Sequence, residues 1–237
     1  MTELSQDESA PRARHWLIAA VLVVLVAGGV GLGVWISGGS TPTATLSAEG
    51  VPIQQVPDLA SADTTMSGAP VDGITCQNSF RQTIKYHIHT HVTIFVNGHQ
   101  ERIPAGAGIQ APRFDEHLAN GLFVDNSFNG CLYVLHVHTN DGIIHVESPH
   151  KRAFTLGQFF DIWQQPLSSE QVGPAKGAVV AFENGKRFVG SPRDIPLEPG
   201  ADIQLDVGTP VVPFAPLRFH VIGLCGSGTE GCSSSQK

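Results

Sequence analysis

The sequence predicts a mainly β domain with one or two short helices, an α+β chain preceded by one transmembrane helix. Three observations carry this. Histidines alternate with other residues in His87-Ile88-His89-Thr90-His91 and in His136-Val137-His138, which is the period of a strand. The dipeptides Asn97-Gly98, Asp141-Gly142 and Asn184-Gly185 separate strand-like runs, as hairpin turns do. An uncharged apolar run from Trp16 to Ile36 is close to the ~20 residues that cross a bilayer.

Composition bounds the function. At 237 residues the chain has room for one or two domains, and 41% apolar against 15% charged residues is ordinary for a folded chain carrying an apolar segment. The formal charge is −7 and no basic stripe is present, so nucleic acid is excluded as a partner on electrostatic grounds. Eleven histidines are many for this length. Eight of them fall from His87 to His145, six of these being His87, His89, His91, His136, His138 and His145 on strand-like runs.

At the amino terminus, residues 1–15 form a polar cytoplasmic tail, with Arg12 and Arg14 just ahead of the apolar run. Those cations keep this end inside, so residues 16–36 read as a signal-anchor helix with the rest of the chain extracytoplasmic. The run exceeds the 7–15 residues of a signal-peptide core, although small residues near Thr43-Ala44-Thr45 leave cleavage open. The cell membrane is thus the expected location and the expected partner of the amino-terminal helix. Residues 37–72 are rich in Gly, Ser, Thr, Pro and Ala and read as a flexible linker. A globular domain spans 73–224, and a Gly/Ser-rich tail covers 225–237.

Four cysteines lie beyond the apolar run, an even number in an oxidising compartment, and disulfides follow. Cys225 and Cys232 are close in sequence and pair most simply with each other. That leaves Cys76 with Cys131, a bridge that would tie the lead-ins of the two histidine strands together. Thiolate ligation of a soft metal is the alternative, without C-x-x-C spacing to support it.

In the first strand His87, His89 and His91 share one face, with Tyr86, Ile88, Val92, Ile94 and Val96 on the other. An Asn97-Gly98 turn then opposes Val96 to His99, Thr93 to Arg102 and Val92 to Ile103, and leaves His99 outside the site. In the second hairpin, a two-residue loop at Asp141-Gly142 opposes His138 to His145 and His136 to Glu147. His136, His138, His145 and Glu147 then share a face, within reach of one small cation. An odd loop would send His145 and Glu147 to the other side. Crowded imidazoles cannot all charge together near neutral pH, and a metal relieves the crowding. Histidine with an optional carboxylate suits zinc or copper(II) better than calcium or magnesium. The expected ligands are His87, His89, His91, His136, His138 and His145.

The rest of the domain reads as follows. Phe114 to Leu118 is one helical turn, with His117 on the surface. His150 lies in a solvated turn. Thr155 caps a helix to Trp163 whose Leu156, Phe159, Phe160 and Trp163 form a core stripe. Ala178–Glu183 and Lys186–Val189 flank the Asn184-Gly185 turn, Ile203–Val207 alternates as a strand, and Leu217–Leu224 is the last strand, with His220 structural.

The run from Ile143 through the helix to Ala178-Val179-Val180-Ala181-Phe182-Glu183-Asn184-Gly185-Lys186, then Ile195-Pro196-Leu197-Glu198-Pro199-Gly200-Ala201-Asp202-Ile203, resembles a β-grasp (ubiquitin-like) domain. The cadence is similar to that of small sulfur-carrier and soluble-ligand-binding modules, without the carboxyl-terminal Gly-Gly of a sulfur carrier. Through "HIHTHVTIFVNG" and "LHVHTNDGIIHVESP", Tyr86–Val207 also resembles membrane-anchored, histidine-rich extracytoplasmic proteins of bacteria, uncharacterised in activity. Cupins place a Glu three to four residues after their H-x-H, and this sequence does not. His136, His138 and His145 are similar to the zinc ligands of α-class carbonic anhydrases, but the long separation between that family's strands is missing.

Three functions stay open. The first is an extracytoplasmic protein that captures, buffers or delivers copper or zinc. The second is a zinc-dependent hydrolase or hydratase with a metal-bound water and Glu147 as base or ligand orienter. The third is a structural or partner-binding ectodomain without metal. No nucleophile elbow, H-E-x-x-H helix or phosphate loop is present, which favours the first.

Overall fold

A computed structural model of the chain describes residues 45–47, 50–65, 68–78, 84–118, 121–217 and 219. The expected transmembrane helix, the Cys225–Cys232 pair and His220 lie outside the described residues, as does most of the expected last strand. Among the described residues no helix is long and apolar enough to cross a membrane.

The domain is mainly β. Seven strands form its main sheet and are numbered in chain order: β1 (Tyr86–Val96), β2 (His99–Glu101), β3 (Leu135–His136), β4 (Ile143–Ser148), β5 (Val179–Glu183), β6 (Lys186–Arg187) and β7 (Asp202–Val207). The spatial order is β6-β5-β7-β1-β4-β3, with β2 paired to the far end of β1. All neighbours are antiparallel except β1 and β7, which lie parallel at the centre, Asp202 opposite His91 and Val207 opposite Val96. One α-helix, α1 (Leu156–Ile162), lies in sequence between β4 and β5.

The alternation in β1 does what the sequence predicts. Ile88, Val92 and Ile94 face a core shared with Ile144 and Val146 of β4, Ile203 and Leu205 of β7, and Phe159, Phe160 and Trp163 at α1. Each such side chain contributes about 1.5–3 kcal/mol by leaving water. The opposite face carries His87, His89 and His91, then His145 and Glu147 across the sheet, and Asp202, Gln204 and Asp206 along β7. Several polar side chains of this face are buried.

The β1–β2 turn forms as expected, with Asn97 and Gly98 both at positive φ (49° and 80°) and Val96 opposite His99, the type I′ signature. Thr155 caps α1 in a reciprocal capping box with Gln158. Thr155→Ala is expected to cost about 1 kcal/mol, read as a lower urea midpoint at unchanged slope; an unmoved midpoint would show that the cap is energetically idle.

Two expectations are corrected. Arg113–Leu118 is a strand, not a helical turn, because it pairs antiparallel with Gly121–Asn126, Glu116 opposite Phe123 and Asp115 opposite Val124. The described part of 45–65 is not a loose tether. Val51 and Leu59 are buried, the Gln54 and Leu59 amides donate to the Asn140 and Arg102 carbonyls, and Trp163 Nε1 donates to the Ser61 carbonyl. Average composition hides these few well-spaced apolar anchors, and the backbone around them finds partners, as buried backbone must.

Candidate metal centre

Strand β4 lies between β1 and β3, and its His145 is opposite a histidine on each side: His89 of β1 and His136 of β3. His87 opposes Glu147. Three adjacent strands therefore bring four imidazoles and one carboxylate together on one face. His138 follows two residues after His136 and joins it. Each of these six residues is no more than 8% exposed.

The second hairpin keeps the expected parity but not the expected register. His136, not His138, is opposite His145, because the connection runs over residues 137–142 instead of turning at Asp141-Gly142. Asp141 Oδ1 instead accepts the Ile143 amide at 3.0 Å, which ends the loop. The shift is two residues, so every side chain stays on its expected face.

The donor atoms fall into two groups that share His145: His136, His138, His145 and Glu147 in one, and His87, His89 and His145 in the other, all within 4.8 Å of one another in each. His136 Nε2 is 3.0 Å from His138 Nε2. His89 Nε2 is 3.0 Å and His87 Nε2 3.5 Å from His145 Nδ1. His87 Nε2 also lies 3.2 Å from Glu147 Oε1.

The tautomers of two rings follow from their partners. His136 Nδ1 donates to the Tyr133 carbonyl at 2.7 Å, and His138 Nδ1 donates to the Val124 carbonyl at 2.6 Å. A carbonyl only accepts, so both protons sit on Nδ1, and in the neutral rings both Nε2 atoms are bare lone pairs. Two lone pairs then face each other across 3.0 Å. Either a proton or a metal ion must lie between them. Burial, and then the neighbouring rings, push the pKa of His89, His136 and His138 below the ordinary histidine value, which disfavours the proton. Zinc–nitrogen bonds of about 2.0–2.1 Å at tetrahedral angles put ligand nitrogens about 3.3 Å apart, close to the observed separation. Backbone carbonyls on the far nitrogens are the usual orienting partners of metal-bound histidine.

Glu147 adds charge. Burial alone would raise its pKa, but the rings of His145, His136 and His87 outweigh that and hold it below the ordinary carboxylate range. A buried carboxylate held in its charged form by the surrounding rings calls for a cation.

Not every expected ligand joins. His91 is on the same face, but its Nδ1 is 2.8 Å from Asp202 Oδ1, and it falls in neither donor group. His99, His117 and His150 are exposed. Cys76 and Cys131 form a disulfide, so neither is a thiolate ligand.

Three site residues carry no sequence signal. The Tyr133 and Val124 carbonyls are backbone, and Phe123, stacked on His138 at 4.6 Å and 9°, looks like any strand aromatic. Asp202 does leave a trace, because Asp202, Gln204 and Asp206 alternate with apolar residues. Close approach of the chain also needs glycine at one place: Gly108 has φ 84°, and a Cβ there would lie 2.4 Å from the Leu135 carbonyl and 2.9 Å from His136 Cα.

No protein family, curated protein or solved structure matches the chain.

Proposed function

We propose that this is a membrane-anchored extracytoplasmic protein that captures and holds a transition metal, zinc or copper(II), through His136, His138 and His145, with Glu147 as the fourth donor. The observation that carries it is the pair of Nε2 lone pairs facing each other at 3.0 Å, with each ring's other nitrogen donating to a backbone carbonyl. Hydrogen bonding within the protein leaves that pair repulsive, and a metal ion makes it favourable. Four protein donors and near-complete burial suit retention or transfer of the ion better than turnover, which needs an open coordination position. The strand order β4-β1-β7-β5-β6, with β1 and β7 parallel at its centre and α1 between β4 and β5, supports the β-grasp reading of the scaffold.

The test is elemental analysis of the full-length protein, purified without a histidine tag and after mild dialysis. Stoichiometric zinc or copper is expected. A protein that stays metal-free after incubation with either ion would sink the reading.

A further inference from the structure

We infer that the histidine face holds two metal ions, not one, with His145 as the ligand between them; this rests on the metal-binding reading above. The donor count motivates it. A zinc ion takes four ligands, and five imidazoles with one carboxylate exceed that. The arrangement divides the surplus. His136 and His138 lie on the β3 side of His145, and His87 and His89 on the β1 side. His145 is the one histidine that belongs to both groups.

The rings show the same division. The His145 centroid is 4.4 Å from His89 and 4.7 Å from His138, edge-on to each (89° and 83°). Its Nδ1 faces the β1 pair, at 3.0 Å from His89 Nε2 and 3.5 Å from His87 Nε2. An imidazole has two ring nitrogens, and only one carries a lone pair in the neutral form. To serve an ion on each side, His145 releases its remaining N–H proton to solvent and ligates through both nitrogens as an imidazolate. The first ion then has His136, His138 and His145, and the second has His87, His89 and His145. Glu147 lies within the first group, and its Oε1 is 3.2 Å from His87 Nε2 and 3.8 Å from His145 Nδ1, so the carboxylate borders both groups.

The experiment is a zinc titration of the metal-free full-length protein against a chromophoric chelator, with native mass spectrometry to count ions. Two zinc ions per chain are expected. The His87→Ala/His89→Ala and His136→Ala/His138→Ala variants should each bind one, with near-ultraviolet dichroism confirming their fold. Wild-type protein loaded with two copper(II) ions should give an integrated paramagnetic resonance signal well below that of two isolated ions, because a shared imidazolate couples the spins. That readout needs no variant. One zinc per chain, or two coppers with the full uncoupled signal, would overturn the shared site and leave the single-ion function standing. No zinc at all would remove both.

Discussion

His145→Ala is expected to lower the affinity of the protein for zinc or copper(II) by at least about 100-fold, the upper end of what loss of a partner one shell further out costs. The position explains the size of the effect. His145 is on the strand between the two histidine pairs, with His89 and His136 directly opposite, and it is the one histidine shared by the two donor groups. Stability should report the loss as well. Free ion at 100 times its dissociation constant stabilises the folded state by about 2.7 kcal/mol, so adding zinc should raise the melting temperature of the wild type and leave that of the variant in place. His99→Ala is the matched control: that side chain is exposed at the β1–β2 turn and should change neither readout. His91→Ala separates membership of the face from membership of the site. It removes the side-chain partner of buried Asp202 Oδ1, leaving the Leu217 amide on Oδ2, and should destabilise the domain while zinc still binds. Wild-type affinity in His145→Ala would refute the site.

How much of this was legible depends on which interactions are local. Strand period is local, so the face of His87, His89 and His91 and the apolar back of β1 could be read directly. The Asn97-Gly98 turn is local too, because two residues able to adopt positive φ are enough to set it. Loop length in the second hairpin is not local. Asp141 takes the Ile143 amide with its own carboxylate, a competing bond that the dipeptide alone does not disclose, and the register moved by two. Parity survived, so the membership of the site did as well. Strand order is less local still. Nothing near His91 says that Asp202 of β7 will lie opposite it, and that pairing is what draws its ring away from the cluster. The same holds for Arg113–Leu118, whose strand state depends on Gly121–Asn126, and for the 45–65 segment, whose few apolar anchors matter only because cavities in a distant part of the chain receive them.

Cys76→Ser/Cys131→Ser is expected to lower the unfolding free energy of the metal-free protein by about 4 kcal/mol. The bridge closes a loop with a sequence separation of 55 residues, and in the chain-entropy treatment a loop of that length restricts the unfolded chain by about this amount. The folded state gives a reason to expect most of it. Cys76 is opposite Tyr133 in a short antiparallel pair, and Tyr133 is the residue whose carbonyl orients His136. The bridge therefore fixes the strand that leads into β3 as well as shortening the unfolded loop. Urea denaturation in the presence of a chelator is the appropriate measurement, because metal linkage would otherwise add its own term. The paired serine variant is preferable to reductant, because it acts on Cys76 and Cys131 alone. A change below about 1 kcal/mol, the size of an ordinary point substitution, would mean that the pairing of Cys76–Gln77 with Cys131–Tyr133 holds this region without the covalent link. With the bridge absent, zinc affinity should fall less than it does in His145→Ala. All six donors remain in that variant, and the ion itself can recover part of the order that the disulfide supplied, as metal binding does when ligands come from separate strands.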